Sequence, residues 1–553
     1  MSVEKLIVDH METWTSALQT RSTAGRGSSG KIDLYGIKKL RELILELAVR
    51  GKLVPQDPND EPASDLLKRI AAEKAELVKQ GKIKKQKPLP EISEEEKPFE
   101  LPEGWEWVHL PDIYCSISES SRKIKSSEIL PEGKYPVIEQ SQEFISGYCN
   151  NECLLIKLNN PVIVFGDHTR NIKFIDFDFV VGADGVKILS PILICERFFF
   201  WQLRSFKLDV RGYARHFKVL NSCLFALPPI AEQERIVEKV SSLMSLCDQL
   251  EQQSLTSLDA HQQLVETLLG TLTDSQNTAE LAENWARISE HFDTLFTTEA
   301  SVDALKQTIL QLAVMGKLVP QDPNDEPASE LLKRIAQEKA QLVKEGKIKK
   351  QKPLPPISDE EKPFELPEGW EWCRIGNIVN IKSELVSPKD YVNLYQVAPD
   401  IIEKGTGRVI SKRTVKESGV KGPNSRFYKG QIVYSKIRPS LSKVFLAEYN
   451  GLCSADMYPL DCYINPNYLL KYILSIPFLM QVKKAENRIK MPKLNSDSFY
   501  NIIVAIPPYN EQQAIFDKIN SIEAVCNGLI SYIGIYHKTQ LHLADALTDA
   551  AIN

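Results

Sequence analysis

The chain has 553 residues, too many for one hydrophobic core, so several domains are expected. With 43% hydrophobic and 25% charged residues it has the make-up of an ordinary globular protein, and no apolar run reaches the length of a membrane span. The formal net charge of −5 excludes a chain that is basic throughout, but charge is uneven: Lys and Arg outnumber Asp and Glu by 20 to 11 from Trp370 to Ala505, against 14 to 14 from Trp105 to Ala226.

The opening stretch MSVEKLIVDHMETW carries acids and lacks the unbroken apolar core of a signal peptide, so a cytoplasmic location is expected. The ten cysteines are then expected to be reduced. Cys149 and Cys153 are close enough to suggest a metal clip, but no paired Cys or His completes a tetrahedral set, and buried thiols are the simpler expectation.

Next along the chain comes a segment that occurs twice. Leu43–Trp107 aligns without a gap to Thr308–Trp372 at an offset of 265 and differs at nine positions, ending each time in FELPEGWEW. Within it, Asp65–Gln80 and Glu330–Glu345 read as short helices, with the Ser of PAS as N-cap and Gly81 or Gly346 as the stop. The following KIKKQKPLP, then EISEEEKP or PISDEEKP, is proline-rich and charged, as expected of an extended connector.

Each copy leads into a variable segment of more than a hundred residues that reads as mixed α/β. PVIVF, KFIDFDFVV and VKIL in the first, and QIVYSKI and KVFLAEY in the second, are short runs rich in β-branched or aromatic residues and read as strands. FFFWQL at Phe198–Leu203 and NYLLKYILSI at Asn467–Ile476 read as helices. Similarity then returns: LPPIAEQERIVEKV from Leu227 answers IPPYNEQQAIFDKI from Ile506, at an offset of 279. Ala231–Thr271 carries apolar residues at Ile236, Val240, Leu243, Leu246 and Leu250, close to a 3.5-residue period, and Glu511–Leu547 is patterned similarly despite Gly528 and Gly534. Two related amphipathic helices in one chain are natural partners for an antiparallel coiled coil.

The expected fold is therefore α+β with a pseudo-two-fold internal repeat. An N-terminal helical region and linker (1–104) is followed by a first variable domain (105–226) and a central region with long helix and linker (227–369). A second variable domain (370–505) and a C-terminal helix (506–553) complete it.

The order of an LPEGWEW segment, a variable domain and a PPxxEQ helix, repeated once, resembles the specificity subunit of type I restriction–modification enzymes over essentially the whole chain. That resemblance implies two target-recognition domains, each reading half of an asymmetric split sequence in double-stranded DNA, with the shared helices as the ruler between them. It also implies partners: two methyltransferase subunits using S-adenosylmethionine, and endonuclease/translocase subunits using ATP and Mg. No membrane partner is expected.

The residues themselves point to a binder without chemistry. Pro507-Pro508-Tyr509 is similar to the Asn/Asp-Pro-Pro-aromatic motif of amino-methyltransferases, but Ile506 stands where the amide or carboxylate belongs. No G-x-x-x-x-G-K-[ST] loop is present for ATP. SEEEK and SDEEK resemble nuclease clusters but fall in polar linkers with no strand to hold a metal.

Bases in the major groove need forked donors and amides, and phosphates need cations and hydroxyls. In the first domain the candidates are Gln140 and Gln142 with Ser141 between them, then His168, Thr169, Arg170 and Lys173 in FGDHTRNIKF, then Arg211, Tyr213, Arg215 and Lys218 in RGYARHFK. In the second they are Tyr434, Ser435, Lys436, Arg438 and Lys443 in YSKIRPSLSK, then Arg488, Lys490 and Lys493 in NRIKMPK. Arg170 and Arg438 are the favoured base contacts, because the guanidinium fork matches a guanine edge. Trp105, Trp107, Trp370 and Trp372 lie in the same setting in both halves and are expected to pack each domain onto the common frame, since two domains reading different sequences should differ where they read. The basic run of the connectors is expected to be a solvated linker or a contact to DNA phosphates.

Overall fold

The computed structural model describes residues 3–20, 32–117, 123–182, 185–208, 215–486 and 492–552. They form two compact units, Met1–Ser257 with Ile535–Asn553, and Leu258–Gly534. The end of the C-terminal helix belongs with the first unit. There Tyr35 donates to Asp545 at 2.7 Å, and Arg41 pairs with both Asp248 and Glu251 at 2.6 Å. The helix Tyr35–Val49 thus touches both long helices.

Those helices run Ile230–Asp274 and Tyr509–Ile552, 45 and 44 residues, roughly 65 Å each. In the second unit Val265, Leu269 and Leu272 of one pack with Cys526 and Ile533 of the other. The earlier part of the first helix shares a unit with the later part of the second, and the later part of the first with the earlier part of the second, the arrangement of an antiparallel coiled coil. Gly528 and Gly534 sit inside the second helix with nothing near enough to meet an added Cβ, so they cost propensity but no packing.

The variable domain of the first unit holds two four-stranded sheets. One has the order Tyr114–Ile117, Val186–Pro191, Val162–Gly166, Ile172–Ile175 and is antiparallel throughout. The other has the order Gly147–Cys149, Tyr135–Ile138, Phe179–Val181, Leu155–Ile156, its central pair parallel. Leu224–Leu227 returns antiparallel to Glu106–His109 beside the shared frame.

The second unit repeats this plan with different letters. Val379–Ile381, Met457–Cys462, Ile432–Ser435 and Val444–Leu446 form the antiparallel sheet. Tyr395–Val397 and Gly451–Ser454 form the parallel pair of the other, with Asn424–Phe427 antiparallel beside it. Among the described residues the fourth strand differs: Leu385–Val386 adds at the opposite edge from Gly147–Cys149. Ile503–Ile506 closes on Glu371–Arg374.

Three local expectations need correction. KFIDFDFVV is two strands, Ile172–Ile175 and Phe179–Val181, divided where Asp178 accepts from the Leu158 amide at 2.9 Å. NYLLKYILSI ends in a break between helices Pro466–Ile473 and Ile476–Ala485, because Pro477 has no N–H to continue the first and suits the first turn of the second. The Ser of PAS is not the N-cap; the helices Ala63–Lys79 and Ala328–Lys344 start two residues earlier than expected, after Pro62 and Pro327, and the amides of Ala63 and Ala328 donate to the carbonyls of Gly104 and Gly369. Gly81 and Gly346 do end these helices, both at φ +68°.

Candidate nucleic-acid interface

The site grows from a hairpin. In the first domain Val162–Gly166 turns back into Ile172–Ile175, and in the second Ile432–Ser435 turns back into Val444–Leu446, the same two neighbouring strands of the same sheet. Each turn holds one arginine in the left-handed region, Arg170 at φ 62° and Arg438 at φ 46°. Two of the four non-glycine residues with positive φ among the described residues are therefore these arginines. Backbone strain of order 1–3 kcal/mol persists only where the surroundings impose it, and such residues cluster at working sites.

The surroundings are the other stretches singled out from sequence. In the first domain the Gln140 carbonyl accepts from Thr169 Oγ1 at 2.5 Å and Asn171 Nδ2 at 2.9 Å, and Gln140 Oε1 accepts from the His168 amide at 3.2 Å. The Arg215–Lys218 stretch docks on the same turn: the His216 amide donates to the Asp167 carbonyl and the Phe217 amide to Asp167 Oδ1, each at 2.8 Å. Arg170 Nη1 donates to the Leu208 carbonyl at 2.8 Å, which aims the guanidinium without using up its donors. Gln142, Thr169, Arg170, Lys173 and Arg204 line one cleft of about 520 Å³ there. Arg215 and Lys218 are exposed beside it. Arg211 and Tyr213 lie outside the described residues.

The second domain repeats this docking. The Arg438 amide donates to the Pro492 carbonyl and the Leu494 amide to the Lys436 carbonyl, each at 2.9 Å, so Pro492–Leu494 is zipped to the hairpin turn. Ser440 N donates to Glu486 Oε1 at 2.9 Å from the other side. The Arg438 side chain is exposed and has no hydrogen bond or ion pair among the described residues. Lys436 and Lys493 share Asp456, at 3.8 and 3.3 Å. Arg488 and Lys490 lie outside the described residues.

Several candidates sit elsewhere than on the surface. Lys173 is buried, and its ammonium donates to the carbonyls of Glu139 at 2.7 Å and Glu143 at 2.5 Å; burial lowers its pKa. Strand alternation explains this, since Lys173 shares the inward face with Ile175. Tyr434 is 1% exposed, its ring packs on Phe499 at 5.2 Å, and burial pushes its hydroxyl far up. Ser435 is equally buried and donates to the Ile437 carbonyl at 3.0 Å. All four residues of Ile432–Ser435 are buried, so an exposed Tyr-Ser pair is corrected to a core one. Lys443 is held by the Pro399 carbonyl.

Pro399 belongs to a loop that sequence reasoning passed over. Lys443 and the Ser442 carbonyl, which accepts from the Gly405 amide at 3.4 Å, tie it to the hairpin, and it presents exposed Lys404 and Arg408 beside Arg413, which donates to Gln396 and Asp400. Its signal was the density of cations in GTGRVISKR.

The frame beneath is built identically in both halves. Trp105 Nε1 donates to Glu232 Oε2 and Trp370 Nε1 to Glu511 Oε2, both at 2.9 Å. Gln56 and Gln321 donate to the other carboxylate oxygen at 3.0 and 3.2 Å. Gly51 and Gly316, at φ +66° and +72°, let Pro102 and Pro367 close over the tryptophan; an added Cβ would meet a proline Cγ at 2.4 Å in each case. The glutamine of PPxxEQ completes the joint, as Gln233 Oε1 accepts from Cys195 N at 3.0 Å and Gln512 Oε1 from Asn465 N at 2.9 Å. The tryptophans therefore fasten domain to frame. No described helix is long and apolar enough to cross a membrane.

Comparison with known proteins bears on what two such sites on one frame are for. The family described as "Type I restriction modification DNA specificity domain" matches residues 102–260 and again 367–533. Over the full length of both sequences the chain is 51% identical to the Type I restriction enzyme EcoAI specificity subunit of Escherichia coli and 49% identical to the EcoEI specificity subunit of the same organism. It is also 28% identical to the Escherichia coli EcoDI specificity subunit, over 77% of this chain and 82% of that one. Each matched span takes in one hairpin site, its Trp–Glu joint and the start of a long helix. With the family's domain present twice and half of all positions shared end to end, the chain belongs to the specificity subunits of type I restriction–modification enzymes.

Proposed function

We propose that each variable domain reads one half of a bipartite duplex sequence through its hairpin turn, with Arg170 and Arg438 as the central base contacts. The observation that carries this is the pair of left-handed arginines at equivalent turns of two sheets whose letters otherwise differ. A guanidinium fork set on a guanine edge supplies about 1–3 kcal/mol of discrimination. Gln142, Thr169, His168, Arg215 and Lys218 in one domain, and Lys436 and Lys493 in the other, flank the arginines as contacts to bases or phosphates. Lys173, Lys443 and Gln140 position the turns. Arg211, Tyr213, Arg488 and Lys490, outside the described residues, are proposed as contacts from sequence alone.

The antiparallel helices set the distance between the two half-sites. In this reading the chain is non-catalytic and works in the cytoplasm. Two methyltransferase subunits with S-adenosylmethionine, and endonuclease/translocase subunits with ATP and Mg, supply the reactions. The test is adenine methylation mapped genome-wide in cells carrying this chain with its methyltransferase, against cells lacking only this chain. A split motif that vanishes in the control is the expected result; an unchanged map with both proteins present overturns the reading.

A further inference from the structure

The KIKKQKPLP connectors are not loose. In the second unit Arg374, 6% exposed, donates to the carbonyls of Pro355 at 3.0 Å, Pro356 at 3.1 Å and Asn501 at 2.6 Å, and pairs with Glu361 at 2.9 Å. Leu354 lies so close to Gly376 that an added Cβ there would meet its Cδ1 at 2.9 Å. Lys339, whose pKa burial lowers to about 8, donates to the carbonyls of Gly376 and Val379 beneath the connector. In the first unit Lys74 likewise donates to Pro111, and the His109 ring bonds the Pro90 carbonyl at 2.9 Å.

What this anchoring holds out is a row of exposed cations, Lys347, Lys349, Lys350 and Lys352. They line a groove of about 580 Å³ with Lys382. Lys349 and Lys350 have no ion pair among the described residues, and Lys352 reaches Asp497 at 3.2 Å across an open surface where the two side chains are 85% and 67% exposed. The row also adjoins the reading site. Asp497 lies in the first turn of the helix Ser496–Tyr500, and the residues just before that helix are the ones zipped to the Arg438 turn. Lys82, Lys84, Lys85 and Lys87 recur, exposed, in the first unit.

We infer that each connector is a backbone clamp: its lysine row binds phosphates of the duplex flanking the half-site that the neighbouring domain reads, without regard to sequence. This role rests on the proposed half-site reading. Charge complementarity selects the occupant, since a fixed row of strongly hydrated point charges suits phosphates and carries no base information. It also accounts for the near-identity of two exposed connectors between domains that differ: a sequence-independent contact is the same contact on both sides.

The experiment uses the full chain in complex with its methyltransferase and a duplex carrying the mapped motif, with a scrambled duplex beside it. The variant has Lys347→Gln, Lys349→Gln, Lys350→Gln and Lys352→Gln together. Counterion release predicts that the slope of log binding constant against log salt shrinks by about 0.9 for each phosphate no longer neutralised, between roughly 2 and 4 for the row. Binding to both duplexes should weaken in parallel, leaving the target-to-scrambled ratio within about two-fold. An unchanged slope overturns the clamp. An unchanged slope with weakened assembly of the methyltransferase would make the connector a protein-docking surface instead. If the unaltered complex shows no preference for the motif, the half-site reading fails, and the salt slope still reports separately on the clamp.

Discussion

Arg438 makes opposite demands on stability and on the recognition proposed for it. Its left-handed backbone is unfavourable for any side chain with a Cβ, by about 1–2 kcal/mol, and its guanidinium has no partner within the described protein to offset that. Arg438→Gly relieves the backbone while gaining entropy in the unfolded chain, so the melting temperature is expected to hold or rise although target binding falls. Calorimetry beside a binding titration checks both, and a clear drop in melting temperature would show that the side chain supports the fold. Arg438→Ala should weaken binding about 10- to 100-fold at one half-site, measured on duplexes with single half-site changes, and leave discrimination at the other half-site intact. Equal weakening on every duplex would make Arg438 a phosphate contact. Both arginines were legible in the sequence as forked cations in polar turns. Their equivalence was not, because it lies in strand order: PVIVF and QIVYSKI have the pair Ile-Val in common, too little to mark them as the same strand. The burial of Lys173 and Tyr434 was hidden for a related reason, since a short strand shows which residues alternate but not how many of its faces are covered.

At the scale of elements, the Trp–Glu–Gln joint ties each domain to its long helix. Burial is the largest influence on Glu232 and Glu511 and raises both carboxyls, outweighing the hydrogen bonds from tryptophan and glutamine that lower them. A carboxyl whose folded pKa exceeds its unfolded value, near 4.5, holds more proton in the fold. Stability from this group is therefore greatest at low pH, falls as pH climbs from that value through the folded pKa, and is flat above it. Glu511→Gln keeps an acceptor for Trp370 and does not titrate. Urea midpoints of variant and unaltered chain should shift in the variant's favour as pH rises through that window, and the opposite trend would refute the assignment. Glu511→Ala leaves the buried indole N–H of Trp370 without its acceptor and should cost about 1–3 kcal/mol. The frame was the most readable part of the chain, because a 3.5-residue period and a gapless repeat survive in sequence. The pairing partners of the tryptophans were not readable, since Trp105 and Glu232 stand 127 residues apart.

For the whole molecule, the long helices carry none of the proposed reading residues, so their length should act on spacing alone. Removing seven residues from each, one heptad, preserves the apolar seam and shortens each helix by about 10 Å, the rise of about three base pairs. A heptad brings the seam of a coiled coil back to the same face, while three base pairs turn the duplex by roughly a third of a helical repeat. Translation and rotation are then no longer matched, and the original split motif should lose its methylation. Any motif that replaces it should keep the same two half-sites, because the hairpins and the residues that brace them are untouched. Methylation mapping of the shortened chain decides the point. Persistence of the original motif at its original spacing would mean that the distance is set by the domains or by the partner subunits, and that the coiled coil only joins the halves.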